Sequence, residues 1–374
     1  MPHKLSEVTI EGYASLRSAT LPLGSGVTVL VGANGSGKSN VVGALELLGH
    51  MADGQLDLEV GLRGGAQALS YAGPGADEQE GIRLRVCADP YRYTAQLLPA
   101  AGDALIFAEE KGSFHEPGGH PLDESFGRGH RESRLREMAD EQLSRLAGPV
   151  HGILAGCRVF HFQDTSAHAP VKKLGTVVDN EYLRPDARNV AAFLLRLRDG
   201  DPTTYRRIVR AVRSVAPFFR DFLLAEEPGG RIRLRWLQEG VDAIFPAEAL
   251  SDGTLRYICL CVLLLQPDPP ALLTLDEPEL GLHPYAIVQL ADMLRAASVR
   301  SQVVVATQSV TLLNQFPLED LVVVEREKGA TVLNRPAPET LHAWLEDYAL
   351  GELWEKNVLG GRPSRELPLR GSGA

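Results

Sequence analysis

Cysteine is scarce in this sequence, and no apolar stretch is long enough to cross a membrane. The chain of 374 residues holds four cysteines, and a membrane-spanning helix needs roughly 20 consecutive apolar residues. Cys259 and Cys261 lie within one apolar run, a spacing that fits neither a disulfide framework nor a zinc site. The N-terminus lacks the charged-then-apolar pattern of a secretory signal. We therefore expect reduced thiols, a cytoplasmic location and no membrane partner.

Positive charge is also in short supply. The chain has 38 Lys and Arg against 48 Asp and Glu, a net charge of −10 at pH 7. This balance argues against a protein that coats nucleic acid through its bulk charge, so any contact with DNA must be local. Apolar residues are plentiful by contrast, at 44% of the chain. They suffice to bury the core of two or three ordinary folding units.

The stretch “LVGANGSGKSN” contains the phosphate-binding pattern G-x-x-x-x-G-K-[ST]. It follows a β-branched run that ends at Val31 and precedes “SNVVGALELLGHM”, whose apolar residues recur near a 3.6 period. In this strand, loop and helix context, backbone N–H groups converge on phosphate oxygens. Lys38 is expected to reach the β- and γ-phosphates of ATP and so to act in catalysis, and Ser39 to ligate Mg²⁺. The predicted nucleotide-binding residues are Gly32, Asn34, Gly35, Ser36, Gly37, Lys38, Ser39 and Asn40.

A second apolar run, “LLTLDEPE”, ends in two adjacent acids. ATP hydrolysis needs one carboxylate that holds the metal and another group that orients or deprotonates water. Asp276 is the predicted Mg²⁺ ligand and Glu277 the predicted catalytic base. Two adjacent acids at the end of a buried strand are costly unless a cation or a ligand is present. The alternative is a plain acidic turn.

Together these motifs resemble the ABC-type ATPase heads of the SMC and RecF class, in the branch of stand-alone predicted ATPases related to the overcoming-lysogenization-defect family. The resemblance covers about residues 1–70 and 150–360, with the motifs in the family's order. It implies an α/β fold: a P-loop NTPase of the ABC head type, with a mixed sheet flanked by helices and an inserted helical and loop region. The expected parts are the head's N-terminal part (1–72), a strand segment and helical insertion that includes the Q-loop (73–240), the head's C-terminal part (241–335) and a tail (336–374).

The resemblance implies roles for residues in four further motifs. “ALSDGTLRY” is similar to the ABC signature, in which Ser251 and Gly253 would bind the γ-phosphate of a partner subunit's ATP, and “ELGLHP” is similar to the D-loop. “GLRGG” is similar to the R-loop, so that Arg63 would contact phosphate or relay DNA binding. “RVFHFQDTS” is similar to the strand that ends in the Q-loop, so that Gln163 would touch Mg²⁺ and the attacking water. The alternatives are a polar helix cap at “SDGT”, a surface arginine and a surface glutamine.

Two positions depart from the family's pattern. Asp252 replaces a glycine of the commonest signature, as it does in RecF-like relatives, and the switch position in “VATQS”, usually histidine, holds Gln308. A glutamine amide can hydrogen-bond a γ-phosphate oxygen but cannot take a charge near neutral pH. We therefore predict that Gln308 acts in catalysis with slower turnover and without loss of ATP binding.

The segment between residues 186 and 224 is helical in pattern and rich in arginine. Such helices could lie along a phosphate backbone, or they could present a solvated face balanced by acidic neighbours elsewhere. The arginines are Arg188, Arg196, Arg198, Arg206, Arg207, Arg210, Arg213 and Arg220.

Three other segments are less informative. Residues 111–130, rich in Gly, His and Pro, are interpreted as a long loop whose histidines match no metal-ligand spacing. Residues 131–146 have a helical pattern. In the tail, Trp344, Leu345, Leu350 and Trp354 either cover the sheet, which we favour, or dock a partner.

Three functions are compatible with these motifs. The first is a slow ATPase that dimerises head-to-tail around ATP and Mg²⁺ and acts on or near DNA, in repair or anti-phage defence. Lys38 and Ser39 of one copy, with Ser251 and Gly253 of the other, would then close on each nucleotide. The second is a nucleotide-gated regulatory module for a separately encoded effector protein, and the third, less favoured, is the ATPase subunit of a membrane transporter. Because no TOPRIM-like acidic module follows the ATPase motifs, we expect no DNA-cutting centre in the chain.

Overall fold

The structure is a computed structural model that describes residues 3–76, 81–116, 118, 120–337 and 348–360. Its strands are β1 (Glu7–Tyr13), β2 (Leu16–Pro22), β3 (Val27–Val31), β4 (Ile82–Ala88), β5 (Tyr91–Ala100), β6 (Ala104–Phe114), β7 (Leu122–Gly127), β8 (Cys157–Phe160), β9 (Gly175–Thr176), β10 (Phe219–Phe222), β11 (Arg231–Ile232), β12 (Arg235–Gln238), β13 (Ile244–Pro246), β14 (Leu272–Asp276), β15 (Gln302–Thr307), β16 (Leu321–Glu327) and β17 (Ala330–Asn334).

Its α-helices are α1 (Lys38–Asp53), α2 (Leu56–Leu62), α3 (Ala66–Leu69), α4 (Leu135–Asp140), α5 (Ala147–Ala155), α6 (Val190–Gly200), α7 (Pro202–Val215), α8 (Asp252–Leu265), α9 (Pro284–Ser298), α10 (Val310–Leu313) and α11 (Leu350–Glu355). Short 3₁₀ turns span Pro170–Lys172, Ala247–Ala249 and Leu318–Asp320. None of these helices of the described residues is long and apolar enough to cross a membrane.

A six-stranded sheet in the order β17-β16-β3-β15-β14-β8 forms the centre of the fold. Its strands pair in parallel, except that β17 runs antiparallel to β16. Successive side chains of a strand point to opposite faces, so Val29 and Val31 of β3 enter one apolar cluster and Leu30 enters the other. Burial on both faces explains the continuous apolar runs in the sequence. The predicted α/β fold with buried parallel strands is confirmed.

A second, antiparallel sheet in the order β2-β1-β4-β5-β6-β7 lies on one side of the parallel sheet. Helix α1 lies between the two sheets, because its Leu45 and Leu48 share an apolar cluster with Leu84 of β4 and Val304 of β15. The glycine loop that joins β3 to α1 is thus attached to a strand and a helix that are both buried. This packing fixes the loop at the carboxyl edge of the parallel sheet.

Three sequence-based assignments need correction. The loop predicted at residues 111–130 contains the end of β6 and all of β7, a polar edge strand whose main chain pairs with β6; such pairing needs no apolar pattern. The predicted helical segment 131–146 forms a helix only over α4, since Gln142 after it has a positive φ of 55° and α5 begins at Ala147, beyond the segment. The helical pattern of 186–224 ends with α7, after which β10 pairs with β12.

The opposite face of the parallel sheet is covered by α6, α7, α8 and α9. Helix α8 is buried along most of its length, from Leu255 to Leu265. In the tail, Leu350 is buried in the same cluster, and Trp354 packs against it. This placement agrees with a covering role for both residues, while Trp344 and Leu345 lie outside the described residues.

Candidate nucleotide-binding site

The phosphate loop is tight on one side and open on the other. Gly35 and Gly37 have φ values of 77° and 109°, in the left-handed region that favours glycine. A Cβ at Gly37 would collide with Thr331 Oγ1, and a Cβ at Gly32 would collide with the Val324 carbonyl oxygen. A Cβ at Gly35 would meet nothing within 4 Å. The open side of the loop is therefore at Gly35, and the closed side rests on β16 and β17.

The start of α1 offers hydrogen-bond donors to an anion. Among the described residues, no protein group accepts from the backbone N–H of Gly37, Lys38 or Ser39. The first N–H groups of a helix have no acceptor within the helix, and the helix dipole makes this end positive. The Lys38 side chain is 5% exposed, and its Nζ donates to the carbonyl oxygens of Gly32 at 2.7 Å and Ala33 at 3.1 Å. A buried ammonium thus lies at the mouth of an anion cradle.

The other predicted loop residues differ in their surroundings. Asn34 is exposed. The Ser36 hydroxyl is buried and has no hydrogen-bond partner among the described residues. The side-chain amide of Asn40 already has a protein partner, because its Nδ2 donates to Ser15 Oγ at 2.6 Å. A direct nucleotide contact by Asn40 stays a prediction.

Three carboxylates lie near Lys38. Burial lowers the pKa of Lys38, and the charges of Glu277, Asp276 and Glu279 oppose this change. Burial likewise raises the pKa of Asp276, against a hydrogen bond from Ser39. Asp276 Oδ1 is buried without a hydrogen-bond partner among the described residues. An unpartnered carboxylate oxygen next to a serine hydroxyl has the chemistry that Mg²⁺ takes when it also binds phosphate, so Ser39 and Asp276 fit the predicted ligand pair.

Glu277 and Gln308 are in contact. Strands β14 and β15 pair in parallel, with Asp276 opposite Ala306, so the residues that follow each strand meet at one edge. The Glu277 N–H donates to the Ala306 carbonyl at 2.8 Å, and Gln308 Nε2 donates to the Glu277 carboxylate. Glu277 has a positive φ of 46°, a strained conformation that persists only where its surroundings enforce it. The predicted base and switch residues thus form one unit.

Glu279, which we did not single out from the sequence, is a third acid of this edge and is buried, whereas Asp276 and Glu277 are half-buried. The Thr307 hydroxyl donates to Glu279 and accepts from the Ser309 N–H at 3.0 Å. Burial raises the pKa of Glu279. The contact ties the first residue of the D-loop to the end of β15. Its signal in the sequence was its place in “ELGLHP”, directly after the predicted base.

The side chain of Gln163 contacts the main chain of the acidic edge, and Arg256 holds the loop that carries Gln163. Gln163 Nε2 donates to the backbone carbonyl oxygen of Asp276 at 2.9 Å. Arg256 of α8 donates from Nε to the Phe162 carbonyl and from Nη2 to the Gln163 carbonyl, both at 3.0 Å. Its Nη1 donates to the Leu280 carbonyl in the D-loop. Sequence reasoning missed Arg256, which is 6% exposed and pairs with no carboxylate among the described residues.

The signature-like turn lies at the exposed start of α8. Ser251 Oγ accepts from the Thr254 N–H at 3.2 Å, so the polar-cap alternative is realised, and Ser251 is nevertheless exposed. Gly253 packs on the D-loop, because a Cβ there would collide with the Gly281 carbonyl oxygen. Within the described chain no hydrogen bond joins Ser251 or Gly253 to the phosphate loop. Their predicted contacts with the γ-phosphate of a partner subunit's ATP stay a prediction.

Arg63 lies in an internal network. Its guanidinium donates to Glu46, to Glu59 and, at 2.8 Å, to the Tyr13 hydroxyl. Glu46 also pairs with His161 at 2.8 Å, a hydrogen bond that raises the pKa of His161. These contacts fasten the end of α2 to the flank of α1. They give the guanidinium internal partners, so phosphate contact by Arg63 stays a prediction.

The site combines a phosphate loop after β3, two acids after β14 and a signature-like turn at the start of α8. This combination defines a P-loop ATPase of the ABC type, similar to SMC heads. A family model described as “AAA domain, putative AbiEii toxin, Type IV TA system” matches residues 27–314. The chain belongs to this family.

Solved structures of SMC heads share the fold. An SmcHead bound to the C-winged helix domain of ScpA has 17% sequence identity and a TM-score of 0.57, over 91% of this chain and 99% of that chain. An Smc head domain from Pyrococcus furiosus, with an extended coiled coil and bound to the C-terminal domain of ScpA, has 15% identity and a TM-score of 0.57, over 92% and 99%. One from Pyrococcus yayanosii, with a coiled coil and joint, has 14% identity and a TM-score of 0.50, over 92% and 99%. A comparison with curated proteins gives no match.

Proposed function

We propose that the protein hydrolyses ATP with Mg²⁺ and closes on the nucleotide as a head-to-tail homodimer. The observation that carries the proposal is that Asp276 and Glu277 lie close enough to Lys38 of the phosphate loop to act on its charge. Phosphoryl transfer to water needs a cation that binds the phosphates, a carboxylate that holds the metal and a group that deprotonates the water. A lysine, an aspartate and a glutamate can supply these three functions.

The chain's own groups divide the work. The loop N–H groups and Lys38 bind the β- and γ-phosphates. Bound Mg²⁺, held by Ser39 and Asp276, supplies neutralisation of phosphate charge. Glu277 holds the attacking water and accepts its proton, in an orientation that Gln308 and the strained backbone maintain. Because glutamine stays neutral, it steers the carboxylate without forming an ion pair with it.

A second copy of the chain would complete each site. Ser251 is exposed, and beside it Leu280 of the D-loop is 52% exposed and Tyr285 at the start of α9 is 51% exposed. Contacts of the second copy's signature with the γ-phosphate exist only in the dimer, so ATP favours the dimer by that difference in affinity. Hydrolysis removes the difference and releases the copies.

Glu277→Gln tests the catalytic part of the proposal. We expect the variant to bind ATP and remain dimeric while phosphate release falls at least about 100-fold, because an amide cannot accept the proton. Lys38→Ala is the binding control and should lose ATP affinity. Phosphate release and light scattering with ATP measure both properties. A Glu277→Gln variant with wild-type turnover would remove Glu277 from the base role, and a wild-type chain that stays monomeric with a non-hydrolysable ATP analogue would remove the dimer.

We also infer a DNA-linked role, in repair or anti-phage defence, from the exposed face of α7. Arg206, Arg210 and Arg213 line a groove of about 450 Å³ together with Tyr205 and Asp221. No hydrogen bond or ion pair engages the side chains of Arg206 and Arg210 within the described part of the chain. Asp221 opposes this positive charge, but its carboxylate already accepts from the Tyr205 hydroxyl at 2.7 Å.

The spacing of the α7 arginines suits a nucleic acid backbone. A helix rises ~1.5 Å per residue, so Arg206 and Arg213 lie ~10 Å apart along the axis, about three base-pair steps of ~3.4 Å. Arg206 and Arg210 are four residues apart, and like charges at that separation destabilise an isolated helix. Arg188 and Arg198 support the balanced-charge alternative instead, since they pair with Asp186 and Asp199, and Arg207 donates to the Leu265 carbonyl of α8.

A double charge reversal tests the DNA-linked role. Arg206→Glu/Arg210→Glu should weaken binding to a duplex DNA of about 30 base pairs at least tenfold and make binding less dependent on salt, because each lost phosphate contact lowers the slope by ~0.9. Arg128→Glu/Arg145→Glu changes the net charge equally at two other exposed positions and should bind nearly as the wild type does. Fluorescence anisotropy at several salt concentrations measures both. Equal loss in the two variants, or no binding by the wild type, would refute the α7 interface.

An effector protein is the second candidate partner. Leu58 and Leu62 of α2 are exposed to 60% and 74%, and two of the similar SMC heads are bound to a ScpA domain. This alternative applies if duplex DNA does not change the ATPase rate. A pull-down from the host with and without ATP then tests it, and Leu62→Glu should capture less of the effector protein than the wild type does.

A further inference from the structure

A chain of polar groups connects the closed side of the phosphate loop to two distant segments. Asn40 Nδ2 donates to Ser15 Oγ at 2.6 Å. Ser15 lies between β1 and β2, and its Oγ is 2.7 Å from Thr331 Oγ1 of β17. Thr331 Oγ1 donates to the Ser36 carbonyl oxygen at 2.8 Å. This series of hydrogen bonds therefore begins in α1 and ends in the loop that precedes α1.

The direction of every bond in this chain follows from the number of hydroxyl protons. A hydroxyl has one proton to donate, and Thr331 donates its proton to Ser36. The proton between Ser15 and Thr331 must therefore come from Ser15. The Ser15 oxygen then accepts the hydrogen bond that the Asn40 amide donates. All donors and acceptors match, so the chain is one relay without an alternative hydrogen-bond pattern.

The relay sets the orientation of one peptide group of the cradle. The peptide bond is planar and trans, so the carbonyl of Ser36 and the N–H of Gly37 point in opposite directions. Thr331 holds the carbonyl on the closed side of the loop. The Gly37 N–H consequently faces the open side, where it has no protein acceptor among the described residues. Thr331 is 1% exposed, so water cannot replace its hydroxyl.

We propose that Thr331 is a positioning residue for the nucleotide phosphates, acting through the Ser36–Gly37 peptide with support from Ser15. The inference rests on the proposed function, because it concerns how the loop grips ATP. It also explains why a side chain at Gly37 would be excluded from the closed side, which Thr331 occupies. Thr331 itself does not touch the nucleotide.

Thr331→Val and Thr331→Ser separate this role from packing. Valine keeps the shape but removes the donor, so we expect the dissociation constant for ATP to rise about tenfold or more, as for one lost hydrogen bond to a charged group. Serine keeps the donor and should restore affinity to within about threefold of wild type. Isothermal titration with a non-hydrolysable ATP analogue measures affinity, and a thermal melt of each free variant reports folding. Thr274→Val is the matched control, since Thr274 is buried on β14 and its hydroxyl has no partner among the described residues.

The outcomes distinguish the inference from the proposed function. Wild-type affinity in folded Thr331→Val, or an equal loss in Thr274→Val, overturns the relay. If Thr331→Val does not fold, Thr331→Ala decides, because it also removes the donor to the Ser36 carbonyl. We expect its dissociation constant for ATP to rise about tenfold or more, and wild-type affinity in folded Thr331→Ala would overturn the proposal. If Lys38→Ala binds as tightly as the wild type, the proposed function itself fails.

Discussion

Replacement of Arg256 should uncouple the loops of the site from one another. Its guanidinium donates to main-chain carbonyls on both sides of the site, at Phe162 and Gln163 in the Q-loop and at Leu280 in the D-loop. Burial lowers the pKa of Arg256, which means that burial of this cation is unfavourable and reduces the stability of the fold. We expect Arg256→Met to reduce turnover at least about tenfold and to leave binding at the phosphate loop intact.

The size of the stability change follows from opposing contributions. Each hydrogen bond from a charged donor contributes ~1.5–3 kcal/mol, so the contacts of Arg256 together contribute about 5–9 kcal/mol. Burial of a guanidinium without a carboxylate costs several kcal/mol, and methionine keeps much of the apolar stem in place. We therefore expect the free energy of unfolding to fall by about 2–4 kcal/mol in Arg256→Met. Lysine cannot reproduce the planar fork, so Arg256→Lys should restore little of the turnover.

Arg300, which is exposed, offers a control for the loss of guanidinium–carbonyl hydrogen bonds away from the site. Arg300 also donates to main-chain carbonyls, those of Gln266 at 2.6 Å, Pro267 at 3.2 Å and Leu264 at 3.2 Å, but these lie at the far end of α8. Arg300→Met should lose stability and keep wild-type turnover per folded molecule. Urea unfolding and phosphate release measure the two effects. If Arg256→Met keeps full turnover per folded molecule, as Arg300→Met should, Arg256 is only a structural anchor and the coupling argument is refuted.

Two further predictions concern a glycine and the buried thiols. Gly253→Ala places a methyl group against the Gly281 carbonyl, a main-chain atom that cannot move aside, so we expect weaker ATP-dependent dimerisation in light scattering with unchanged ATP affinity; unchanged dimerisation would contradict this packing. Burial raises the pKa of Cys157 and Cys259 to about 12, so between pH 9 and 12 the unfolded chain releases protons that the folded chain keeps. Each thiol then lowers the free energy of unfolding by ~1.4 kcal/mol per pH unit, and urea unfolding at pH 8 and pH 10 should show a smaller decrease in Cys259→Ala, whereas equal decreases would contradict the shift.

The phosphate loop and the acids after β14 could be predicted because their chemistry is local. Three glycines, a lysine and a serine must follow one another closely to form the cradle, and a strand must end directly before Asp276 to aim it. Apolar runs on either side of these motifs then predict buried parallel strands. Each of these signals lies within a window of about 20 residues. The spacing of residues within these short windows was therefore enough to predict the phosphate loop and the two acids as parts of one candidate site.

Residues that act through main-chain carbonyls left no comparable signal. Thr331 contacts Ser15 across 316 positions of the chain, and any strand can contain a threonine. Arg256 was visible only as one cation in the otherwise apolar start of “LRYICLCVLLL”, a position that the sequence could equally well assign to an exposed face. The pattern “GLRGG” was misleading in the opposite way, since Glu59 in α2 and Glu46 in the preceding helix α1 offer Arg63 strong internal partners.

The contacts of α8 imply that the signature and the Q-loop cannot move independently. Gly253 rests on the Gly281 carbonyl, a Cβ at Gly281 would approach the Arg256 guanidinium, and Arg256 in turn holds the Gln163 carbonyl. A second copy that draws Ser251 toward its own nucleotide would therefore pull on the loop that carries Gln163, which in turn touches the backbone of Asp276. Because α7 packs on α8 through Arg207, a ligand on α7 would act on the same helix. If the proposed dimer forms, its closure, the predicted metal ligands and the α7 face would be linked by this one buried helix.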